Sequence, residues 1–284
     1  MMVNATDSTA KGDIMRYNLP TTTLGRTGLV VTRLGIGGAY CQSVEGYRAA
    51  LDCGVTYVDT ARVYRDGKDE ELVGPAIAGR RNQLILSSKT MSRDAEGARK
   101  DLETSLKVLG TDHLDIWHIH YLNTKEEREK ALGPGGAIEA AIKAREQGLI
   151  RFIGVTGHVW PEVAQAVATG LFDSVLCWYN CAMKEPETTI FPEARKHNMG
   201  VVIMKSTYTD ILWQQVGAPP QADFYRYVLS HPAVNVALYG LRNVARFQLV
   251  AAALAQRATL SEEERLALEA HGARVRAAGK LVGW

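Results

Sequence analysis

The chain has little of what would tie it to several large classes of protein. Cysteine is scarce: Cys41, Cys53, Cys177 and Cys181 are the only four in 284 residues. They form neither C-x-x-C pairs nor a dense framework, which excludes a disulfide scaffold and a cysteine-built zinc site. Free thiols in a reducing cytoplasm are the expectation. Charge of one sign is missing too, with 33 Lys and Arg against 31 Asp and Glu and a net charge of +2. The arginines are spread along the chain, so neither nucleic acid nor a membrane surface is an expected partner. No apolar run approaches the ~18 residues of a membrane span. The polar opening from Met1 to Asp13 is unlike a signal peptide and reads as a disordered leader. Finally, G-x-G-x-x-G is absent. Gly35-Ile36-Gly37-Gly38 has the wrong spacing for an open dinucleotide-binding sheet, which also needs an acid about 20 residues on.

What is present is rhythm. The chain is 46% hydrophobic, enough for one large core, and no linker or low-complexity break divides it. Arg16 to Pro20 and Leu29 to Thr32, bracketing Gly25-Arg26-Thr27-Gly28, suggest an entry hairpin. Strand and helix patterns then alternate. The strands are Leu34 to Gly37, Val55 to Asp59, Leu84 to Lys89, Leu114 to His120, Phe152 to Thr156, Ser174 to Tyr179, Val201 to Lys205 and Asn235 to Gly240. Between them, Glu45 to Cys53 stops at Gly54, and Ala98, Leu102, Leu106 and Leu109 recur at helical spacing and stop at Gly110. Helices are expected at Asp69 to Ala78, around Ile138 to Ile142, and at Pro161 to Thr169, Thr188 to His197, Ala222 to His231 and Val244 to Gln256. Asn123 to Gly136 reads as a polar loop, and a last helix from Ser261 to His271 opens with the capping box Ser261-x-x-Glu264. Eight strand–helix units predict a single (β/α)8 barrel domain over residues 1–284, with an N-terminal hairpin and the functional residues at the strand tips.

Three successive strand tips carry ionisable groups: Asp59, Lys89 and His120, with Tyr64 just past the first. A buried unpaired acid costs several kcal/mol, so Asp59 needs a partner, and Lys89 can be that partner. A phenol with a reference pKa of about 10 is a poor acid at neutral pH. A neighbouring lysine favours its phenolate, and an acid holds that lysine in place. Such a tyrosine can give a proton to a carbonyl oxygen and take it back, while a histidine steers the oxygen. The pair His118-x-His120 also admits a metal. Barrel hydrolases place such a pair on the first strand with an acid on the eighth, and the eighth strand here has none, so no metal is expected.

Around these residues the chain resembles the aldo-keto reductase family over nearly its whole length. The matching stretches are Asp59-Thr60-Ala61-x-x-Tyr64, Glu70-x-x-Val73-Gly74, Ser88-Lys89, Asp115-x-x-x-x-His120, Gly148-x-Ile150-Arg151-x-Ile153-Gly154-Val155, Tyr179-Asn180 and the hairpin Leu24-Gly25-Arg26-Thr27-Gly28-Leu29-x-Val31. The resemblance implies hydride transfer between a nicotinamide cofactor and a small carbonyl or alcohol. In it Tyr64 is the general acid, Lys89 tunes it, Asp59 pairs with Lys89, and His120 orients the substrate. It also implies a cofactor set of Thr156, Gly157, Asn180, Met204, Lys205, Gly240, Arg242, Asn243 and Arg246. Arg246 corresponds to the arginine that reads a 2′-phosphate, which favours NADP(H), with NAD(H) also possible. The closest subgroup has Gly154-Val155-Thr156-Gly157-His158, and some of its members end in a cysteine-rich iron–sulfur tail. Arg274 to Trp284 holds no cysteine, so no cluster is expected.

Departures from the pattern matter. Thr156, Gly157 and Leu176 stand where Ser-Asn and Gln commonly hold the carboxamide, Met204 replaces a stacking tyrosine, and Leu249-Val250 replaces an adenine-holding Glu-Asn. They leave room for a second function: a nucleotide-binding barrel acting as redox sensor or partner subunit with little turnover. Tyr40, Met91, Tyr121 and Trp160 either form an apolar substrate wall or only pack, and His158 either lines the pocket or caps its loop.

Overall fold

The computed structural model describes residues 15–281. The expected leader, residues 1–13, lies outside them. The elements run β1 (Thr21–Thr23), β2 (Val30–Thr32), β3 (Leu34–Gly37), α1 (Val44–Asp52), β4 (Tyr57–Asp59), α2 (Lys68–Ile77), β5 (Ile85–Thr90), α3 (Ala95–Leu109), β6 (Leu114–Ile119) and α4 (Lys125–Leu132). They continue with α5 (Ala137–Glu146), β7 (Ile150–Thr156), α6 (Trp160–Ala168), β8 (Ser174–Trp178), α7 (Ile190–Lys196), β9 (Gly200–Met204), α8 (Gln221–Ser230), β10 (Val236–Gly240), α9 (Val244–Gln256) and α10 (Glu262–Ala277).

Strands β3 to β10 close into an all-parallel barrel in chain order, β10 pairing back onto β3 through Ala237↔Leu34 to Gly240↔Gly37. Parallel neighbours need a crossover, and helices α1 to α8 supply the seven, α4 and α5 sharing one, while α9 and α10 follow the last strand. Helix α3 illustrates the local cause. Its N-cap Asp94 accepts from Gly97 N, Ala98, Leu102 and Leu109 are buried against the barrel, and Gly110 ends it at φ 65°. Side chains three or four apart share the inner stripe, and glycine takes the left-handed cap without steric cost.

Two cores result. One lies between strands and helices; the other fills the barrel and joins Tyr57, Ile116, Leu176, Val202, Val236 and Leu238 to Leu24, Leu29 and Val31 of the entry hairpin. The hairpin thus plugs the end of the barrel opposite the strand tips. Its approach is close: a Cβ on Gly25 (φ 49°) would meet Gly200 N at 2.3 Å.

Three expectations shift. The first hairpin strand is Thr21–Thr23, paired with Val30–Thr32, so residues 16–20 lead into it and are not part of it. The polar stretch from Asn123 to Gly136 contains helix α4 with a complete capping box, Thr124 with Glu127. Helix α10 keeps its capping box at Ser261 and Glu264 but runs on to Ala277.

Candidate active site

The tips of β4, β5 and β6 converge on one buried cluster. Asp59 is the last residue of β4, Lys89 the fifth of β5, and His120 follows β6 directly. The Lys89 ammonium donates to Asp59 Oδ2 at 2.7 Å and to the Thr60 carbonyl at 2.6 Å. Ser87 Oγ donates to the other Asp59 oxygen at 3.0 Å. Lys89 Nζ also lies 4.4 Å from the centre of the Tyr64 ring, and the His120 ring meets Tyr64 edge-on at 5.7 Å between centroids. Sequence reasoning named these four residues; the fold brings all four together.

Two further acids fix the segment that carries Tyr64, and neither was assigned a role from sequence. Asp69, fully buried at the start of α2, accepts from Ala39 N at 3.0 Å, Tyr47 OH at 2.8 Å and Thr60 Oγ1 at 2.7 Å. Glu70 beside it is also fully buried and takes Arg62 Nη1 at 2.5 Å and Ser88 Oγ at 2.6 Å. In sequence they look like ordinary first-turn acids, which favour any helix N-terminus.

Burial outweighs charge at Tyr64 and His120, whereas charge outweighs burial at Lys89. Removal from water raises the Tyr64 phenol above its usual range, and Lys89 pulls it down by less than burial lifts it. The phenol therefore stays protonated at neutral pH, whereas the lysine alone predicts a shift the other way. Burial also opposes the Lys89 ammonium, but Asp59 and Tyr64 hold it above the ordinary lysine range. His120 is held well below its usual value by burial and then by Lys89. It is a neutral imidazole, which can still donate one N–H.

Beside the cluster opens a cavity of about 560 Å³. Tyr40, Met91, Tyr121 and His158 line it, as do Met204, Lys205, Gly240, Arg242 and Leu176. Val63, Thr207, Thr209 and Asp210 line it too, although sequence reasoning did not single them out. The His158 ring sits 4.6 Å from Tyr121 and 4.4 Å from Trp178, with Lys205 Nζ 3.6 Å above the Trp178 ring. Burial lowers His158 to about 4, with Lys205 adding to it, and lowers Lys205 to about 8.

Thr156, Gly157, Asn180, Asn243, Arg246 and Trp160 lie outside this wall. The Thr156 carbonyl accepts from Leu122 N at 2.9 Å, and Gly157 packs so closely that a Cβ would meet Leu122 O at 2.6 Å. Asn180 donates from Nδ2 to the Lys205 carbonyl at 3.0 Å, fixing a residue held at φ 59°. Trp160 Nε1 donates to the Trp178 carbonyl at 3.3 Å. Asn243 caps α9 by accepting from Arg246 N at 2.9 Å, and the exposed Arg246 guanidinium lies 5.0 Å from the Trp213 ring centre. Arg242 sits 4.0 Å over the Tyr40 ring, with its Nε 3.7 Å from Asp210 Oδ2. Among the described residues, no group of three or more His, Cys, Asp or Glu is placed to hold a metal, and no helix is long and apolar enough to cross a membrane.

The arrangement is that of an acid–base site at the mouth of a barrel, and a sequence comparison identifies it. A model of the aldo/keto reductase family matches residues 39–212. The chain belongs to the aldo/keto reductase family. Aldo-keto reductase YhdN of Bacillus subtilis is 30% identical over 214 residues, covering 67% of this chain and 63% of that protein. Yakc of Schizosaccharomyces pombe, named an NADP(+) aldo-keto reductase, is 25% identical over 237 residues, 74% of this chain and 68% of its own. The holo form of an aldo-keto reductase from Bacillus halodurans superposes with a TM-score of 0.78 at 22% identity, covering 89% of this chain and 96% of that one. That last likeness speaks for the fold alone.

Two features at this end of the barrel bear on anion binding. Arg242 and Lys205 face the cavity, and the capped N-terminus of α9 has no acid in its first turn, a favourable setting for an anion. Leu176 and Met204 offer apolar faces to a flat ring.

Proposed function

We propose that this aldo/keto reductase reduces aldehydes or ketones to alcohols, or runs the reverse, with NADP(H) as its hydride carrier. The observation that carries this reading is the buried Asp59–Lys89 pair with Lys89 Nζ 4.4 Å from the Tyr64 ring centre and His120 edge-on to that ring. The nicotinamide supplies the hydride when bound. Met204 and Leu176 would flank its ring, and Lys205, Arg242, Asn243 and Arg246 would hold its phosphates. Tyr64 gives its phenolic proton to the carbonyl oxygen as negative charge develops there, and Lys89 stabilises the phenolate left behind. Asp59 keeps Lys89 charged and aimed. His120 directs an N–H to the same carbonyl oxygen and so fixes which face of the carbonyl meets the hydride. Tyr40, Met91, Tyr121 and His158 form the wall against which the substrate packs, consistent with a largely apolar carbonyl compound.

Absorbance of the reduced cofactor, followed with a panel of aldehydes, tests the reading. Tyr64→Phe should lower kcat by about 10²–10⁴-fold, the usual worth of a positioned acid, and leave cofactor affinity nearly unchanged. A kcat equal to the parent's would refute the mechanism. A second reading, a nucleotide-binding barrel with little turnover, draws support from apolar Leu176, which lines the cavity and cannot hydrogen-bond the carboxamide. It predicts cofactor binding without turnover across the panel.

A further inference from the structure

Beneath the site, the barrel interior holds a histidine that the proposed mechanism does not use. His118, on β6, precedes His120 just past the strand's end by two residues, so both turn inward, and His118 is fully buried. Its register partner on β7 is Gly154. A Cβ there would lie 2.2 Å from His118 Cδ2 and 2.5 Å from Nε2, so the imidazole fits only because residue 154 is glycine. His118 Nδ1 lies 3.1 Å from Ser87 Oγ, and Ser87 Oγ lies 3.0 Å from Asp59 Oδ1. Lys89 takes the other carboxylate oxygen.

Counting protons orients this chain. A serine hydroxyl has one proton, and an ionised carboxylate can only accept. Were Ser87 to give its proton to His118, its lone pairs would face Asp59 Oδ1 at 3.0 Å, too close for anything to come between them. The proton must go to Asp59, so His118 must donate from Nδ1. Nε2 is then the bare nitrogen, and it is the one without a hydrogen-bond partner among the described residues. A stranded lone pair is tolerated better than a stranded N–H. Burial, helped by Lys89, lowers the imidazole to about 3, so it stays neutral.

We propose that His118 is a positioning residue of this reductase: as the Nδ1–H tautomer it holds Asp59, through Ser87, turned toward Lys89. The inference deepens the proposed function and rests on it only for its kinetic consequence. The charged and titratable groups around the chain are Lys89 on β5, Asp59 and Tyr57 on β4, Tyr64 beyond β4, His120 after β6, Asp115 at the far end of β6, and Asp69 on α2. Loss of the His118 donor makes this surrounding more negative. A phenolate at Tyr64 is then less favoured, and its titration moves to higher pH.

The test uses the full chain labelled with ¹⁵N at histidine and ¹³Cζ at tyrosine. The ¹⁵N spectrum should show His118 neutral, with its proton on Nδ1. In His118→Leu the Tyr64 ¹³Cζ titration should rise by about 0.5–1 pH unit, the size expected for one lost donor in a buried network. The alkaline limb of alcohol oxidation should rise with it, and kcat should fall several-fold at nearly constant KM. His118→Asn, whose amide nitrogen can take the place of Nδ1, should stay near the parent. Should His118→Leu fold poorly, Gly154→Ala displaces the same ring and should move the titration the same way. A proton on Nε2, an imidazolium, or an unmoved Tyr64 titration in His118→Leu or Gly154→Ala would overturn the proposal. A parent that turns over no carbonyl with either nucleotide refutes the proposed function, while the two spectra still decide the role of His118.

Discussion

Replacing Lys89 with methionine isolates Asp59 inside the barrel. Lys89 is 1% and Asp59 2% exposed, and they meet at 2.7 Å. Methionine keeps most of the stem's volume but cannot donate, so the carboxylate is left with Ser87 as its side-chain donor. Breaking one side of a buried pair costs about 3–5 kcal/mol, which for a chain of this size lowers Tm by about 6–20 °C. The pH dependence has a definite sign. Burial raises the Asp59 pKa, and Lys89 and then Ser87 pull it down, so the variant loses the larger downward pull and its Asp59 titrates above the parent's. In the unfolded chain a carboxylate titrates near about 3.9. Between that value and the higher folded one, the folded state binds more protons, and stability falls as pH rises. The deficit relative to the parent should therefore be smaller at pH ~5 than at pH ~8. Adding Asp59→Asn removes the stranded charge and should bring the loss to about 1 kcal/mol. Thermal melts and urea midpoints at both pH values check this. A loss under about 1 kcal/mol for Lys89→Met at both values would refute the argument, as would a double variant no more stable than the single one.

Two further substitutions test parts of the site remote from the acid. Arg246→Ala should weaken NADPH by about 1.5–3 kcal/mol, as for a lost charged hydrogen bond, and leave NADH nearly unchanged. Nucleotide titrations of parent and variant decide it; equal losses, or none, would mean that Arg246 only packs over Trp213. Thr124→Ala removes the side chain that accepts from Glu127 N and should cost about 0.5–2 kcal/mol in the urea midpoint. It should also raise KM for the carbonyl substrate, because Glu127 holds Arg93 at 3.3 Å and Arg93 holds the Tyr121 carbonyl at 2.9 Å.

Much of the barrel was legible because its signals are local. Strand alternation located the tips at Asp59, Lys89 and His120, helical spacing from Ala98 to Leu109 marked α3, and Gly110 marked its end. Helix α4 was hidden although its capping box is plain in Thr124-x-x-Glu127: only Ala131 of its eight residues is buried, so it has almost no apolar stripe.

The sequence by itself determined the order of units, and with it which residue types meet at the open end of the barrel. Only the tertiary structure decided how those groups behave. Alternation tells which face a residue takes, but not which loop covers it, so it could not tell that Thr156 and Gly157 pack against residue 122 while Leu176 stays open to the cavity. Nor could it tell that Asp69 and Glu70 leave the helix surface to pin the Tyr64 segment, or that His118 Nδ1 comes within 3.1 Å of Ser87 Oγ. The protonation of Tyr64 depends on burial set against the Lys89 charge, and both come from residues far apart in the chain. Periodicity is a property of neighbours in the chain, whereas burial and proton balance are sums over neighbours in space.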